Sequence, residues 1–188
     1  MIHASEARSE RLWDPVVRIL HGVLLTAFVA NYFLLEEGDD PHQIFGYLAA
    51  AAVLLRVLWG FRDTGAARWS AFWPSPGRLA RHVRALVRWQ HRPIPGHSPI
   101  GALVMILMLL GMTALAVTGF LMEEVDYFWG NQSVEDIHEW LADGLAALVA
   151  LHVFAAVVES VLLRENLPWS MVTGRRKVHP AVPQSWDE

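Results

Sequence analysis

The sequence predicts an all-α integral membrane protein. Four spanning helices form one bundle, both termini lie on the cytoplasmic side, and an interfacial amphipathic helix sits in the inner loop. Three observations predict this. Of 188 residues, 54% are hydrophobic, nine are Trp and none is Cys; soluble domains rarely carry so much apolar surface, whereas a small polytopic membrane protein needs it. The apolar residues fall into four runs, about 16–35, 43–61, 100–122 and 137–163, near the length of about 20 residues that a helix needs to cross a bilayer core. The charges, finally, are sorted by side.

The first run follows Arg8, Arg11 and Trp13. It is too long for a signal-peptide core and lacks a small-residue cleavage site, so it reads as a spanning helix. The second follows the acidic turn EEGDDP (36–41) and ends at RVLWGFR (56–62). The third, IGALVMILMLLGMTALAVTGFLM, has no ionisable residue; Gly101, Gly111 and Gly119 permit close backbone or cofactor approach. The fourth, IHEWLADGLAALVALHVFAAVVESVLL, is lipid-compatible apart from a few polar residues, two histidines among them. Strands of a membrane barrel would alternate polar and apolar residues, which these runs do not. All 188 residues are taken as one transmembrane domain.

The 15 Lys and Arg residues stand before or within the first helix, at the end of the second, in the 62–97 connection or after the fourth. The connections EEGDDP and EEVDYFWGNQSVED (123–136) have none. Arg-rich short loops stay cytoplasmic, which puts both termini and the 62–97 connection inside. Trp13, Trp59 and Trp169 then mark an inner aromatic belt, Trp129 and Trp140 an outer one. Within the inner connection, PGRLARHVRALVRW (76–89) puts Leu79, Val83 and Leu86 on one helical face amid arginines, the pattern of a helix lying on lipid. A solvated basic loop is the plainer alternative. Nucleic-acid binding is set aside, because no fold signal accompanies the charge.

His138 and His152 are fourteen residues apart, which on a helix returns to within about 40° of the same face after a rise of about 21 Å. His21 lies near the inner start of the first helix and His42 opens the second from the outer side. Two parts of the chain thus offer the same pair of depths, His42 with His138 outside and His21 with His152 inside. Paired imidazoles from facing helices suit a haem iron buried among apolar side chains. Two haems at these depths would carry electrons across the membrane. Zinc would need further ligands that neither level supplies. Histidines acting as structural groups or proton relays in a haem-free bundle remain the alternative.

RLWDPVVRILH (11–21), HQIFGY (42–47) with RVLWGFR (56–62), GHSPIGALVM (96–105) with TG (118–119), and HEWLADGLAALVALH (138–152) with RENLPWSMVTGRRK (164–177) resemble the bacterial cytochrome b561 family. That family includes the b-type cytochrome subunits of nickel–iron hydrogenases. The resemblance implies two b haems with bis-histidine ligation, His21, His42, His138 and His152 standing where the family's ligands stand. It implies electron transfer between quinone and either an outer-face partner, such as a periplasmic cytochrome or redox enzyme subunit, or a small oxidant such as superoxide. A membrane-anchor role in a larger complex such as hydrogenase is the alternative.

Arg18 and Arg56 are candidate partners of inner-haem propionates, since guanidinium forks onto carboxylate; snorkelling topology residues are the plainer reading. Glu159, seven residues after His152, is a candidate for a quinone-linked proton or for an ion pair with Arg18 or Arg56. His97 is the other quinone candidate. His3, His82, His91 and His179 read as surface residues, and the acidic outer loops as solvated segments or a docking field for redox partners.

Overall fold

The computed structural model describes residues 8–63, 65, 67–88, 98–163 and 165–178. Four helices are long and apolar enough to cross a membrane: α1 (Pro15–Phe33) and α2 (Asp40–Arg62), followed after two short helices, α3 (Trp69–Phe72) and α4 (Pro76–Val87), by α5 (Pro99–Glu124) and α6 (Gln132–Leu163). A short helix α7 (Leu167–Thr173) follows, then strand β2 (Arg175–Val178), which pairs antiparallel with β1 (Arg8–Arg11). The acidic and basic connections lie at opposite ends of the bundle, here called the acidic end and the basic end.

The helices exceed the apolar runs because their first turns are polar. Asp14 caps α1 by accepting from Val16 N at 2.7 Å, with Pro15 at the first helical position, and Ser98 caps α5 through Gly101 N at 3.2 Å. Each side chain satisfies an N–H that the helix leaves without a partner. α6 starts five residues before its apolar run, where Asn131 Oδ1 accepts from Ser133 N and Gln132 Nε2 donates to Asp136 Oδ1 at 2.9 Å.

α1 packs along α2 and α5 along α6, with α2 against α5 joining the two pairs. The paired α1 and α2 bury small side chains, Ala27 and Ala30 on α1, Ala49 and Ala52 on α2. Small residues let backbones approach where lipid supplies no hydrophobic drive. Gly111 does the same on α5, leaving room for Leu145 of α6. Many large apolar side chains face outward, Ile19, Phe61 and Val161 among them, as suits a chain whose solvent is hydrocarbon.

The basic end is clasped by the β1–β2 ribbon, which joins segments more than 160 residues apart. Leu12 N and Trp13 N both donate to Gly174 O. Gly174 ends α7 with φ +76°, and a Cβ there would press on Arg18 Nη1 at 3.0 Å and Trp13 O at 3.1 Å. Glu165 and Arg176 complete the clasp with an ion pair at 3.1 Å. Trp13 is buried within it rather than standing in a headgroup belt, whereas Trp129, Trp140 and Trp169 are exposed. The amphipathic segment forms α4, with Leu79 half-buried and Val83 exposed.

Candidate haem site and its relatives

α2 brings His42 and α6 brings His138 to the acidic end, their ring centroids 6.4 Å apart and planes at 53°. Metal–imidazole bonds are about 2 Å long, so a metal shared by two rings holds their centroids about 6 Å apart once the half-rings are added. Both rings are half-buried. Among the described residues, neither α1 nor α2 packs closely along α6, so the facing histidines look across a gap between helices rather than a filled core.

The surroundings hold the rings. His138 Nδ1 lies 2.7 Å from Thr118 Oγ1 on α5, which leaves Nε2 as the nitrogen available to a metal. Thr118 Oγ1 also reaches Ala114 O at 3.0 Å, so its proton has a backbone acceptor and its lone pair can face the imidazole N–H. Gly119 lies beside the same ring, with His138 Cε1 3.6 Å from where a Cβ would stand. His42 Nδ1 and Asn31 Oδ1 are buried without hydrogen-bond partners among the described residues, while Asn31 Nδ2 donates to His42 O at 3.1 Å. Buried orphans of this kind fit a pocket whose occupant sets the ring's final pose.

At the basic end, His21 of α1 and His152 of α6 are half-buried and close enough for a charge on one ring to act on the other. Glu159 lies within electrostatic reach of His152 but pairs with neither Arg18 nor Arg56. Arg18 instead donates Nε to Met171 O at 3.2 Å and Nη2 to Val172 O, binding the carbonyl end of α7. Arg56 is buried, only 5% exposed. Its Nη2 donates to Ala67 O at 3.2 Å, its Cζ lies 5.3 Å from the centre of the Trp69 ring, and Nη1 has no hydrogen-bond partner among the described residues. His97 lies outside the described residues.

Two further contacts cross the bundle near the acidic end. Tyr32 OH donates to Asp143 Oδ1 at 2.8 Å, joining α1 to α6, and Tyr47 OH donates to Glu124 Oε1 at 2.7 Å.

The family model for prokaryotic cytochrome b561 matches residues 12–174, nearly all of the chain, with His21, His42, His138 and His152 inside the match. The chain belongs to that family. It is therefore an integral membrane b-type cytochrome, an electron-transfer protein that carries haem b, and the reading of a haem-free bundle falls away. Relatives named "Probable Ni/Fe-hydrogenase B-type cytochrome subunit" are similar along much of its length. That of Rhizobium leguminosarum bv. viciae is 28% identical, covering 92% of this chain and 91% of the relative. That of Bradyrhizobium diazoefficiens is 26% identical over 88% and 85%, and that of Azotobacter vinelandii 30% over 72% and 66%. No solved structure gives a significant match.

Thr118, Asn31 and Asp143 take part in this geometry without having been singled out in the sequence. Asn31 and Asp143, polar groups inside apolar helices, did carry a signal. Replacing Thr118 with Val is expected to keep the helices but release the His138 ring. Partners at this remove typically change metal affinity by about 10–100-fold, so haem retention during purification and the midpoint potential of one haem should both shift. Unchanged retention and potential would mean the 2.7 Å contact does not orient the ring.

Proposed function

We propose that this cytochrome is a dihaem electron carrier, in which His42 and His138 would hold one haem at the acidic end and His21 and His152 another at the basic end. The observation that carries the reading is the His42–His138 pair, two imidazoles from different helices held 6.4 Å apart, one of them fixed through Nδ1 by Thr118. Haem b supplies reversible one-electron exchange when bound. The chain's own residues set its depth, its orientation and its dryness. Fourteen helical residues between His138 and His152 correspond to about 21 Å, most of a hydrocarbon core of about 30 Å. Arg56, with Nη1 unspent, is the stronger candidate for a propionate at the basic end. Arg18 is the weaker, since its guanidinium already serves α7.

Arg-rich loops stay cytoplasmic, so the acidic end is assigned to the periplasmic face of a bacterial inner membrane and both termini to the cytoplasm. Electrons then run between the quinone pool and an outer-face redox partner. The relatives' names favour a redox enzyme subunit of the hydrogenase kind as that partner. A periplasmic cytochrome, or superoxide as a small oxidant, suits a free-standing chain. Glu159 and His97 are the candidates at a quinone site, Glu159 because it sits two turns beyond His152 on α6 with no guanidinium from Arg18 or Arg56 to neutralise it.

The test is a pyridine haemochrome assay with iron and protein measured on the same sample, followed by quinol oxidation by the isolated chain. Two b haems per chain are expected; a single haem would sink the two-level reading. Quinol oxidation that appears only with a partner subunit would assign the anchor role.

A further inference from the structure

A cavity of about 560 Å³ opens between α2, α3 and α5, away from all four histidines in sequence and nearer the basic end. Val57 and Phe61 of α2 form one wall, Ile106, Leu109 and Leu110 of α5 the other, and Trp69 and Trp73 cover it. Along α5 the lining spans roughly 10 to 21 Å from the start of the helix, from the basic-end leaflet to about the middle of a bilayer. The walls are almost wholly apolar. The hydroxyl of Thr113, one of its two polar residues, is spent on Leu109 O at 2.7 Å.

Basic residues flank the lining in the chain: Arg62 closes α2 next to the lining Phe61 and Arg68 precedes α3 next to the lining Trp69, both exposed, with Asp63 the one acidic residue between them. The arginine-rich α4 follows directly, with Leu79, Ala80 and Val83 sharing a shallow groove with Arg84 and Arg88. A dry slot flanked in the chain by exposed arginines matches one occupant, an acyl chain whose headgroup carries a phosphate. A quinone ring is neutral and would want hydrogen-bond donors and acceptors within the slot, which its lining hardly offers.

The structure assigns this cavity to an anionic phospholipid, one acyl chain between α2 and α5 and the phosphate against Arg62 and Arg68. The site does not depend on how many haems the bundle holds. It gives the basic connection a task beyond topology: the lipid wedges α3 against the bundle.

Trp69 and Trp73 line the cavity and report its filling. The full-length haem-loaded cytochrome is placed in nanodiscs of phosphatidylcholine, and a small fraction of acyl-brominated lipid is added, either phosphatidylglycerol or phosphatidylcholine. Tryptophan quenching by the brominated anionic lipid is expected to saturate at lower mole fraction. Trp73→Phe should remove part of that high-affinity phase. One basic residue near an anionic lipid changes its occupancy by about fivefold, so Arg62→Gln and Arg68→Gln should each weaken the preference by about that factor with the haem spectrum unchanged. Equal quenching by the two lipids overturns the assignment, as does a preference that survives the double arginine variant. Displacement of quenching by a short-chain quinone, with no preference between lipids, overturns it in favour of a quinone.

Discussion

Replacing His138 with Ala is expected, on the proposed dihaem ligation, to halve the haem content of the purified cytochrome, from two b haems per chain to one, without unfolding the bundle. The imidazole is one of a facing pair, its ring centroid 6.4 Å from that of His42; once it is gone, His42 alone would have to hold that haem, from a helix that does not pack closely along α6. Since losing even a partner behind a ligand costs about 10–100-fold in affinity, losing the ligand should leave that haem unable to survive purification. The fold has independent support: α6 is held to α5 through Leu145 against Gly111 and at its far end by the α7 clasp. His152→Ala should remove the other haem, and the double variant should be colourless yet helical by circular dichroism. The decisive measurement is potentiometry of the two single variants. If both lose the same component, or if either retains two haems, the pairing of ligands by depth is wrong.

The membrane bundle was legible because lipid imposes a rule that water does not: a spanning segment must be apolar for about 20 residues. The histidines were legible for the complementary reason, since hydrocarbon disfavours them and a helix repeats its faces at a known interval. The helix starts were not, because Gln132–Asp136 is polar and is held in the helix by Asn131 and by its own side-chain bond, neither of which a hydropathy pattern registers. The β1–β2 ribbon depends on a pairing across nearly the whole chain and on Gly174 standing where a Cβ would meet Arg18 and Trp13. Arg18 shows the limit of spacing arguments. One turn from His21, it suggests a haem propionate, yet its guanidinium meets the carbonyls of Met171 and Val172, whose position no local sequence reveals. Thr118 was hidden for a different reason: a threonine in a spanning helix ordinarily bonds back to its own turn, and this one does so while also meeting His138.

The second large effect is expected at a residue with no side chain. Gly60 is buried near the basic end of α2, and a Cβ built there would clash with the Trp69 indole, meeting Nε1 and lying 2.7 Å from both Cδ1 and Cε2. Ala is intrinsically the better helix former by about 1 kcal/mol, so a simple propensity argument predicts stabilisation. Packing reverses the sign. The ring is rigid, and moving it breaks the bond from Trp69 Nε1 to Val57 O at 3.0 Å and lifts the indole from Arg56. Overpacking costs about 1–3 kcal/mol, and a desolvated cation–π contact adds about 0.5–2 kcal/mol. Arg56 makes the loss worse, because a buried guanidinium with one nitrogen already unpartnered has nothing to replace the indole. Gly60→Ala should therefore lower stability by about 2 kcal/mol in detergent unfolding and shift tryptophan emission to longer wavelength as Trp69 leaves its slot. The mechanism is separable from a general intolerance of α2 to change. In a Trp69→Ala background the added methyl has space to occupy, so the same substitution should cost nothing or restore stability through helix propensity. Equal destabilisation in both backgrounds would show that the indole is not what Gly60 makes room for.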